Sequence, residues 1–111
     1  MKQAYKITGK DLKSVNIVGN ASVQYKRNEP AIPKPDCGPL CVFKDAESVT
    51  SFLKQMTLAI SREMFVKVWL CEYEESKEDH IWTFTNHNSK ENIPEGTILA
   101  DEVILKEEVK I

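Results

Sequence analysis

The sequence predicts an α+β domain in which one main helix packs on a mostly antiparallel sheet of about five to six strands. Three observations predict this class. Runs of alternating apolar and polar residues dominate the chain, one stretch has helical spacing, and neither alternating strand–helix units nor a Gly-rich phosphate loop occurs. The 111 residues, 41% of them hydrophobic and 29% charged, are typical of a single domain spanning residues 1–111.

Two short strands are predicted near the start of the chain. The first covers residues 3–8 and ends in a turn over residues 9–11, where a glycine and an aspartate favour chain reversal. The second covers residues 22–27, because Val23 and Tyr25 alternate with polar neighbours there.

A proline-rich connection and the helix follow. Four prolines between residues 30 and 39 exclude a helix or a central strand in that stretch. Residues 40–43 are predicted as a short buried strand, and the helix is predicted to begin near Asp45, a good N-cap residue. Its apolar stripe follows the i, i+3, i+4, i+7 spacing of one helix face and consists of Val49, Phe52, Leu53, Met56 and Ile60.

The second half of the chain is predicted to form strands. The longest runs over residues 64–73, and a short strand over residues 81–85 is expected to pair antiparallel with it. Residues 86–92 are polar and are expected to be exposed, and Pro94-Glu95-Gly96 predicts a type I turn. The last strand is expected to place Val103, Leu105, Val109 and Ile111 on one face and Glu102, Lys106, Glu108 and Lys110 on the other.

Charge and cysteine content exclude several classes of protein. The 15 Lys and Arg residues nearly balance the 17 Asp and Glu residues, for a net charge of −2, which disfavours a binder of nucleic-acid polymers. No apolar run approaches the roughly 20 residues of a membrane-spanning helix, and the first residues lack the apolar stretch of a signal peptide. Three cysteines, an odd number, fit reduced thiols in a cytoplasmic protein.

No constellation of residues predicts catalysis. Cys37 and Cys41 are separated by three residues, and their spacing to His80 and His87 does not match a zinc-finger pattern. Both histidines lie in or beside polar stretches, where histidines are usually solvated. The sequence therefore predicts no catalytic residue, no metal site and no cofactor, and it favours a protein that is not an enzyme.

One face of the strand over residues 64–73 combines aromatic residues with a cation. Phe65, Trp69 and Tyr73 share this face with Lys67. One interpretation is that the sheet is covered on both sides, which would bury the rings. The other is an open aromatic floor around a lysine, which suits a flat, negatively charged ligand such as a nucleotide, or a self-association surface.

Two further aromatic–basic clusters occur earlier in the chain, at Tyr5-Lys6 and at Tyr25-Lys26-Arg27. Such clusters are common by chance, so only their convergence in space would indicate a site. The candidate ligand-binding residues are Tyr5, Lys6, Tyr25, Lys26, Arg27, Lys67, Trp69 and Tyr73.

Several short motifs occur in a recognisable order. A strand opens the chain with Tyr5-Lys6, one helix follows in mid-chain, and a Pro-x-Gly-Thr turn over residues 94–97 precedes the last strand. In this order the motifs resemble a group of small uncharacterised phage and bacterial proteins. The resemblance implies a phage-type protein that acts in the cytoplasm of a bacterial host.

A second resemblance concerns the last strand. Glu102-Val103-Ile104-Leu105 is similar to the strand that carries the catalytic glutamate in ADP-ribosyltransferases. In that family a Gln or Glu often stands two residues earlier, where this chain has Ala100. The resemblance implies an ADP-ribosyltransferase-like mini-domain that keeps the cleft and not the chemistry, or else an enzyme of this type that depends on Glu102. The alternative is an exposed strand glutamate.

Three hypotheses for function follow, each from a different class. The first is a non-enzymatic binding protein that sequesters a small anionic ligand, such as a nucleotide signal, and so counters host defence. The second is a protein–protein interaction module that inhibits a host protein or forms a homo-oligomer through its aromatic face. The third is an ADP-ribosyltransferase-like enzyme. None of them involves a nucleic-acid polymer or a membrane.

Overall fold

The computed structural model describes residues 1–12, 23–34, 38–56, 66–78, 80–82, 87–89 and 96–110. In these residues the chain forms seven strands and one helix, in the order β1 (Lys2–Gly9), β2 (Pro30–Ala31), β3 (Leu40–Phe43), α1 (Ala46–Met56), β4 (Val66–Glu75), β5 (His80–Trp82), β6 (His87–Ser89) and β7 (Thr97–Val109). Five strands form one antiparallel sheet on which the helix packs, which confirms the predicted α+β class. None of the described helical residues belongs to a helix long and apolar enough to cross a membrane.

Four of the five sheet strands close into a ring. β1 pairs with β3 on one edge and with β4 on the other, and β7 also pairs with both β3 and β4. β7 reaches both partners because its 13 residues pair first with β3 and then with β4. β2 pairs with β7 at Val103 and Ile104, beyond the stretch that β3 occupies. The ring therefore has an inner face and an outer face.

An apolar cluster lies on each face of the ring. The inner cluster contains Ala4, Val23, Tyr25, Ala31, Leu40, Val42, Trp69, Cys71, Tyr73, Ala100, Val103 and Leu105. The outer cluster joins the helix to the sheet and contains Ile7, Phe43, Val49, Leu53 and Val68. Trp69 and Tyr73 are only 5% and 4% exposed. For these two rings, the interpretation that the sheet is covered on both sides is confirmed.

Helix α1 begins at the position that the sequence predicts, directly after Asp45. The Asp45 side chain accepts a hydrogen bond from the Ser48 backbone N–H at 2.8 Å, as an N-cap does. Hydrogen bonds from the Ser48 side chain and backbone hold the pKa of the Asp45 carboxyl below its usual range. Met56 ends the helix, and the predicted stripe position Ile60 lies outside the described residues. The stripe positions that pack in or against the outer cluster are Val49, Phe52 and Leu53.

Most of the remaining predicted strands are confirmed. β1 extends the predicted 3–8 by one residue at each end, and the predicted turn after it contains a hydrogen bond from the Leu12 amide to the Gly9 carbonyl at 3.0 Å. β3 has the predicted bounds. β4 begins inside the predicted 64–73 and continues to Glu75, while residues 64 and 65 lie outside the described residues.

The predicted second strand over residues 22–27 is wrong. Ser22 lies outside the described residues, Gln24 forms an isolated bridge, and the next strand starts only at β2. Val23 and Tyr25 are nevertheless buried while Gln24 is exposed. The alternation reflects the burial of a segment packed against the ring rather than pairing within the sheet.

The predicted pairing of the strand over residues 81–85 is also wrong. β5 pairs antiparallel with β6 in a separate two-stranded sheet. It does not pair with β4, because β1 and β7 already occupy both edges of β4. β6 lies within the polar stretch 86–92, of which residues 86 and 90–92 are outside the described residues. Of the predicted turn at 94–96, only Gly96 is described, and it lies in a turn.

The pairing of β4 with β7 has two register shifts, between Leu70 and Cys71 and between Glu74 and Glu75, and the first of them interrupts the expected alternation of the last strand as a β-bulge. Leu105 pairs with Cys71, whereas Glu107 pairs with the preceding residue of β4, so one residue of β7 has no opposite partner. The extra residue turns the following side chains over. Leu105 therefore lies in the inner cluster, while Val109 packs against the outer cluster. The expectation that they share a face is wrong, and Ile111 lies outside the described residues.

Candidate functional site

Lys6 lies inside the ring. It is on the inner face of β1, between Ala4 and Thr8, and is 5% exposed. The alternation of β1 places Lys6 on the face opposite Tyr5 and Ile7. Because the ring closes around that face, the lysine side chain is buried with the inner cluster.

Two contacts replace water around the Lys6 ammonium group. Its Nζ donates a hydrogen bond to the carbonyl oxygen of Cys41 at 2.7 Å. The same atom lies 5.2 Å from the centroid of the Tyr25 ring. A cation is attracted to the negative face of an aromatic ring, and a charge-assisted hydrogen bond is stronger than a neutral one. Both contacts therefore stabilise a positive charge in the interior.

The Lys6 ammonium has no carboxylate partner in the part of the chain that the structure describes. The ion pairs found there are Lys2–Glu75 at 3.1 Å and Lys67–Glu108 at 3.5 Å. A buried charge is usually paired, because burial removes its hydration. A carbonyl and an aromatic ring compensate this loss only in part, so a negative group placed beside Lys6 would be attracted.

Trp69 flanks Lys6 from the neighbouring strand. The two residues are directly opposite each other in the pairing of β1 with β4, which places their side chains side by side on the inner face. The Trp69 Nε1–H donates a hydrogen bond to the Thr8 hydroxyl at 3.1 Å, which orients the indole. Lys6, Tyr25 and Trp69 are here termed the Lys6 cluster. Tyr73 lies further along the same inner face, opposite Lys2.

Two cations border one end of the ring. The Arg27 Nε–H donates a hydrogen bond to the Lys106 carbonyl at 2.9 Å, and Lys67 Nζ lies 3.5 Å from a carboxylate oxygen of Glu108. Lys106 and Glu108 are two residues apart on β7, so both cations border the same stretch of that strand. Arg27 and Lys67 are termed the rim cations. Lys26, beside Arg27, is exposed.

The predicted site residues thus divide into three groups. The inner core brings together Lys6, Tyr25, Trp69 and Tyr73. The rim has Lys26, Arg27 and Lys67. Tyr5 is separate, because it packs against the outer cluster. Phe65 lies outside the described residues.

Cys71 adjoins this interior, but it is not a reactive thiol. It has no exposed surface, and its Sγ–H donates to the Ala4 carbonyl at 3.4 Å. Burial raises the pKa of the Cys71 thiol to about 12, although the Lys6 charge opposes the shift. Burial likewise raises the pKa of Cys41. Since the thiolate is the nucleophile, neither cysteine is suited to covalent chemistry near neutral pH.

We expect Cys71 to resist thiol reagents in the folded protein. The double variant Cys37→Ser/Cys41→Ser leaves it as the single cysteine of the chain. At pH 8, labelling by a disulfide reagent should be about 1,000-fold slower than in urea, because a thiol with a pKa near 12 is almost fully protonated. Equal labelling rates in the folded and unfolded states would contradict this burial.

Glu102 lies on the outer face of β7, away from the Lys6 cluster. It is partly exposed and stands directly opposite Glu74 of β4. Ala100, two residues earlier, is buried in the inner cluster. Among the described residues, no group of three or more His, Cys, Asp or Glu side chains is arranged to hold a metal ion.

Two groups that support the site were missed from the sequence. The Thr8 hydroxyl had a signal, because Thr8 stands two residues after Lys6 and shares its face in a strand. The Cys41 carbonyl had none, because a backbone acceptor carries no mark in the sequence.

This geometry is the basis on which a function can be proposed. The resemblances to small phage proteins and to ADP-ribosyltransferases stay predictions from the sequence. No protein-family model, no curated protein and no solved structure matches this chain.

Proposed function

We propose that this protein binds a small anionic ligand of nucleotide type at the Lys6 cluster, without catalytic turnover. The observation that supports the proposal is the buried Lys6 ammonium, whose contacts among the described residues are a carbonyl and an aromatic ring instead of a carboxylate. A phosphate would supply the missing negative charge. Tyr25 and Trp69 are only 1% and 5% exposed, so binding requires the inner cluster to open, and a flat base would then stack on one of these rings.

The rim cations support the same ligand class. Arg27 and Lys67 border one end of the ring, where their charges attract anions, although the Glu108 carboxylate at 3.5 Å offsets part of the Lys67 charge. The net charge of −2 does not oppose this attraction, because exposed charges act mainly within a Debye length of about 8 Å. An approaching anion would meet the rim first and the Lys6 cluster second.

The chemistry near Lys6 favours binding over catalysis. The neighbouring Cys71 is held as a neutral thiol by burial, and Glu102 lies on the opposite face of the sheet. A protein that holds a nucleotide without converting it lowers the free concentration of that nucleotide by mass action. Together with the resemblance to small phage proteins, this supports a role in sequestering a nucleotide signal in the host cytoplasm and so countering host defence.

Isothermal titration calorimetry against a panel of linear and cyclic nucleotides tests this function. With protein at tens of micromolar concentration, at least one nucleotide should give a saturable heat. Nucleosides without phosphate should give none, because they lack the charge that Lys6 would bind. No heat with any nucleotide of the panel would contradict the proposal.

A pair of rim substitutions tests the route of approach. The double variant Arg27→Ala/Lys67→Ala should weaken binding about tenfold, since exposed charges contribute roughly 0.5–1 kcal/mol each. Lys2→Ala is the matched control, because it removes an ion pair of the same kind about 20 Å away along β1. An equal loss of nucleotide affinity in the double variant and in Lys2→Ala would show that the rim cations do not contribute specifically to binding.

A further inference from the structure

We propose that residues 29–34, here termed the proline strip, form a docking surface for a partner protein whose groove is lined with aromatic rings and bordered by carboxylates. The strip has the sequence Glu29-Pro30-Ala31-Ile32-Pro33-Lys34. It contains the Pro-x-x-Pro spacing that aromatic-lined grooves recognise in extended ligands. The inference goes beyond the proposed function, because it concerns a surface outside the Lys6 cluster and needs no ligand there.

The backbone of the proline strip is held in an extended form. The rings of Pro30 and Pro33 fix φ at about −65°, and a residue that precedes a proline is restricted to extended conformations. Pro30 and Ala31 also pair with Ile104 and Val103 of β7. An extended polyproline II ligand is what such grooves bind. The strip therefore loses little conformational entropy when it docks.

The strip turns its residue–proline pairs outward. Ala31 is buried in the inner cluster, whereas Glu29, Pro30 and Ile32 are exposed and Pro33 is half-buried. A polyproline II helix has three residues per turn, so the two prolines share one side and the two residues before them share another. Both pairs are thus available to a groove, while the residue between them anchors the strip to its own fold.

Ile32 is the apolar side chain that a groove would cover. At 62% exposure it is one of two exposed large hydrophobic residues in the part of the chain that the structure describes, and the other is the terminal Met1. A single exposed apolar residue is common on protein surfaces. This one stands directly before Pro33, within the Pro-x-x-Pro spacing, and so offers a groove an apolar pair of side chains.

Two other occupants fit the proline strip less well. Pairing with an added strand is disfavoured, because Pro30 has no N–H to donate at this sheet edge. A second copy of the chain would have to supply the aromatic groove. Each aromatic side chain that the structure describes is buried or half-buried. The aromatic rings therefore have to come from a different protein.

The charge around the strip complements an acidic border. Lys26, Arg27 and Lys34 flank it against the single carboxylate of Glu29, which gives 3 − 1 = +2 in a chain whose net charge is −2. All four side chains are exposed. Opposite charges at the rim of an interface raise the association rate and select the partner. Carboxylates beside the aromatic groove would therefore favour docking.

NMR titration of ¹⁵N-labelled protein with SH3 domains tests the docking surface. These domains serve as probes because their grooves are lined with aromatic rings, and they are chosen with and without carboxylates beside the groove. Acid-bordered domains should shift the Ile32 and Lys34 amides with a Kd of roughly 10–100 µM, since the contact is small. Domains without the border should bind about tenfold more weakly, and a Pro-x-x-Pro peptide that fills the groove should abolish the shifts.

An absence of shifts at both amides with every acid-bordered domain would overturn the proposal, as would shifts that persist with the competing peptide. Equal affinity for the two sets of domains would overturn the acidic border.

Substitutions in the strip locate the contact. Ile32→Ala should weaken binding about tenfold and leave the urea midpoint unchanged, because the side chain is mostly exposed. Lys34→Ala should weaken it about threefold, whereas Lys77→Ala, at an exposed lysine after β4, should not change it. Unchanged affinity in Ile32→Ala would overturn the docking site. A dimer in sedimentation equilibrium that Ile32→Asp abolishes would show that a second copy covers the strip, which would also overturn the proposal.

Discussion

Replacement of Gly96 by alanine is expected to destabilise the fold by about 3 kcal/mol, which is a large fraction of the stability of a small domain. Gly96 has a φ of +84°, a conformation that costs alanine about 1 kcal/mol. A Cβ at this position would also clash with Oγ and Cβ of Ser48. The start of α1 would have to move, although the Lys44 amide binds the Gly96 carbonyl at 2.9 Å.

Urea denaturation of a set of six proteins, with and without Gly96→Ala in three backgrounds, separates the clash from the backbone strain. In a Ser48→Gly background, Gly96→Ala should cost only about 1 kcal/mol, because both clashing atoms are gone and the φ penalty stays. In a Ser48→Ala background the cost should stay near its full value, because the Ser48 Cβ position is still occupied. If Gly96→Ala lowered the free energy of unfolding equally in all three backgrounds, the close approach of Gly96 to the helix would be contradicted.

The largest functional effect is expected for Lys6→Met. Methionine keeps an unbranched apolar stem and removes the buried charge, so the free energy of unfolding should be unchanged or higher by up to about 2 kcal/mol. The affinity for nucleotides should fall about 30-fold or more, since a charge-assisted contact contributes roughly 2 kcal/mol. A residue whose loss preserves the fold but removes binding is a functional residue, not a structural one.

Lys2→Met is the control for this variant. It changes the same residue type on the same strand, at an exposed position that has only a surface ion pair, and should alter neither stability nor binding. Urea denaturation and calorimetry on the three proteins give both quantities. A loss of several kcal/mol of stability in Lys6→Met with unchanged nucleotide affinity would show that Lys6 is part of the scaffold only.

The elements that local signals determine were predictable from the sequence. The Asp45 cap and the spacing of Val49, Phe52 and Leu53 predict α1, and tertiary packing agrees with both. Alternation and β-branched residues predict β1, β3 and β4 with bounds close to those observed. Each of these signals lies within about ten residues of chain.

The closing of the ring was not predictable, because it depends on pairing between distant strands. β7 occupies the edge of β4 that the hairpin rule assigns to the strand over residues 81–85. The bulge in β7 could not be predicted, because apolar and polar residues alternate regularly in the sequence of this strand. Because of the bulge, Val109 lies on the outer face of the ring, whereas Leu105 lies on the inner face. The sequence predicts a strand over residues 22–27 because Val23 and Tyr25 alternate with polar neighbours. Val23 and Tyr25 are buried and Gln24 is exposed, but alternating burial does not require a paired neighbour.

About half of the site could be predicted. Lys6, Tyr25 and Trp69 were all candidates, but they come together only because the ring closes and because Tyr25 packs into its interior. Tyr5 shows that residues adjacent in the sequence need not belong to the same site. Neighbouring residues of a strand point to opposite faces, so Tyr5 and Lys6 cannot both line one site, and Tyr5 packs on the outer cluster.

The most direct measurement is an NMR titration that follows the lysine side chains. In protein labelled with ¹³C at lysine Cε, the Lys6 resonance is assigned by its loss in Lys6→Met. Titration with the nucleotide that gives the largest heat should shift Lys6 strongly, shift Lys67 less and leave Lys2 unchanged. A titration that shifts only exposed lysines, or none at all, would contradict binding of an anionic ligand beside the buried Lys6 ammonium.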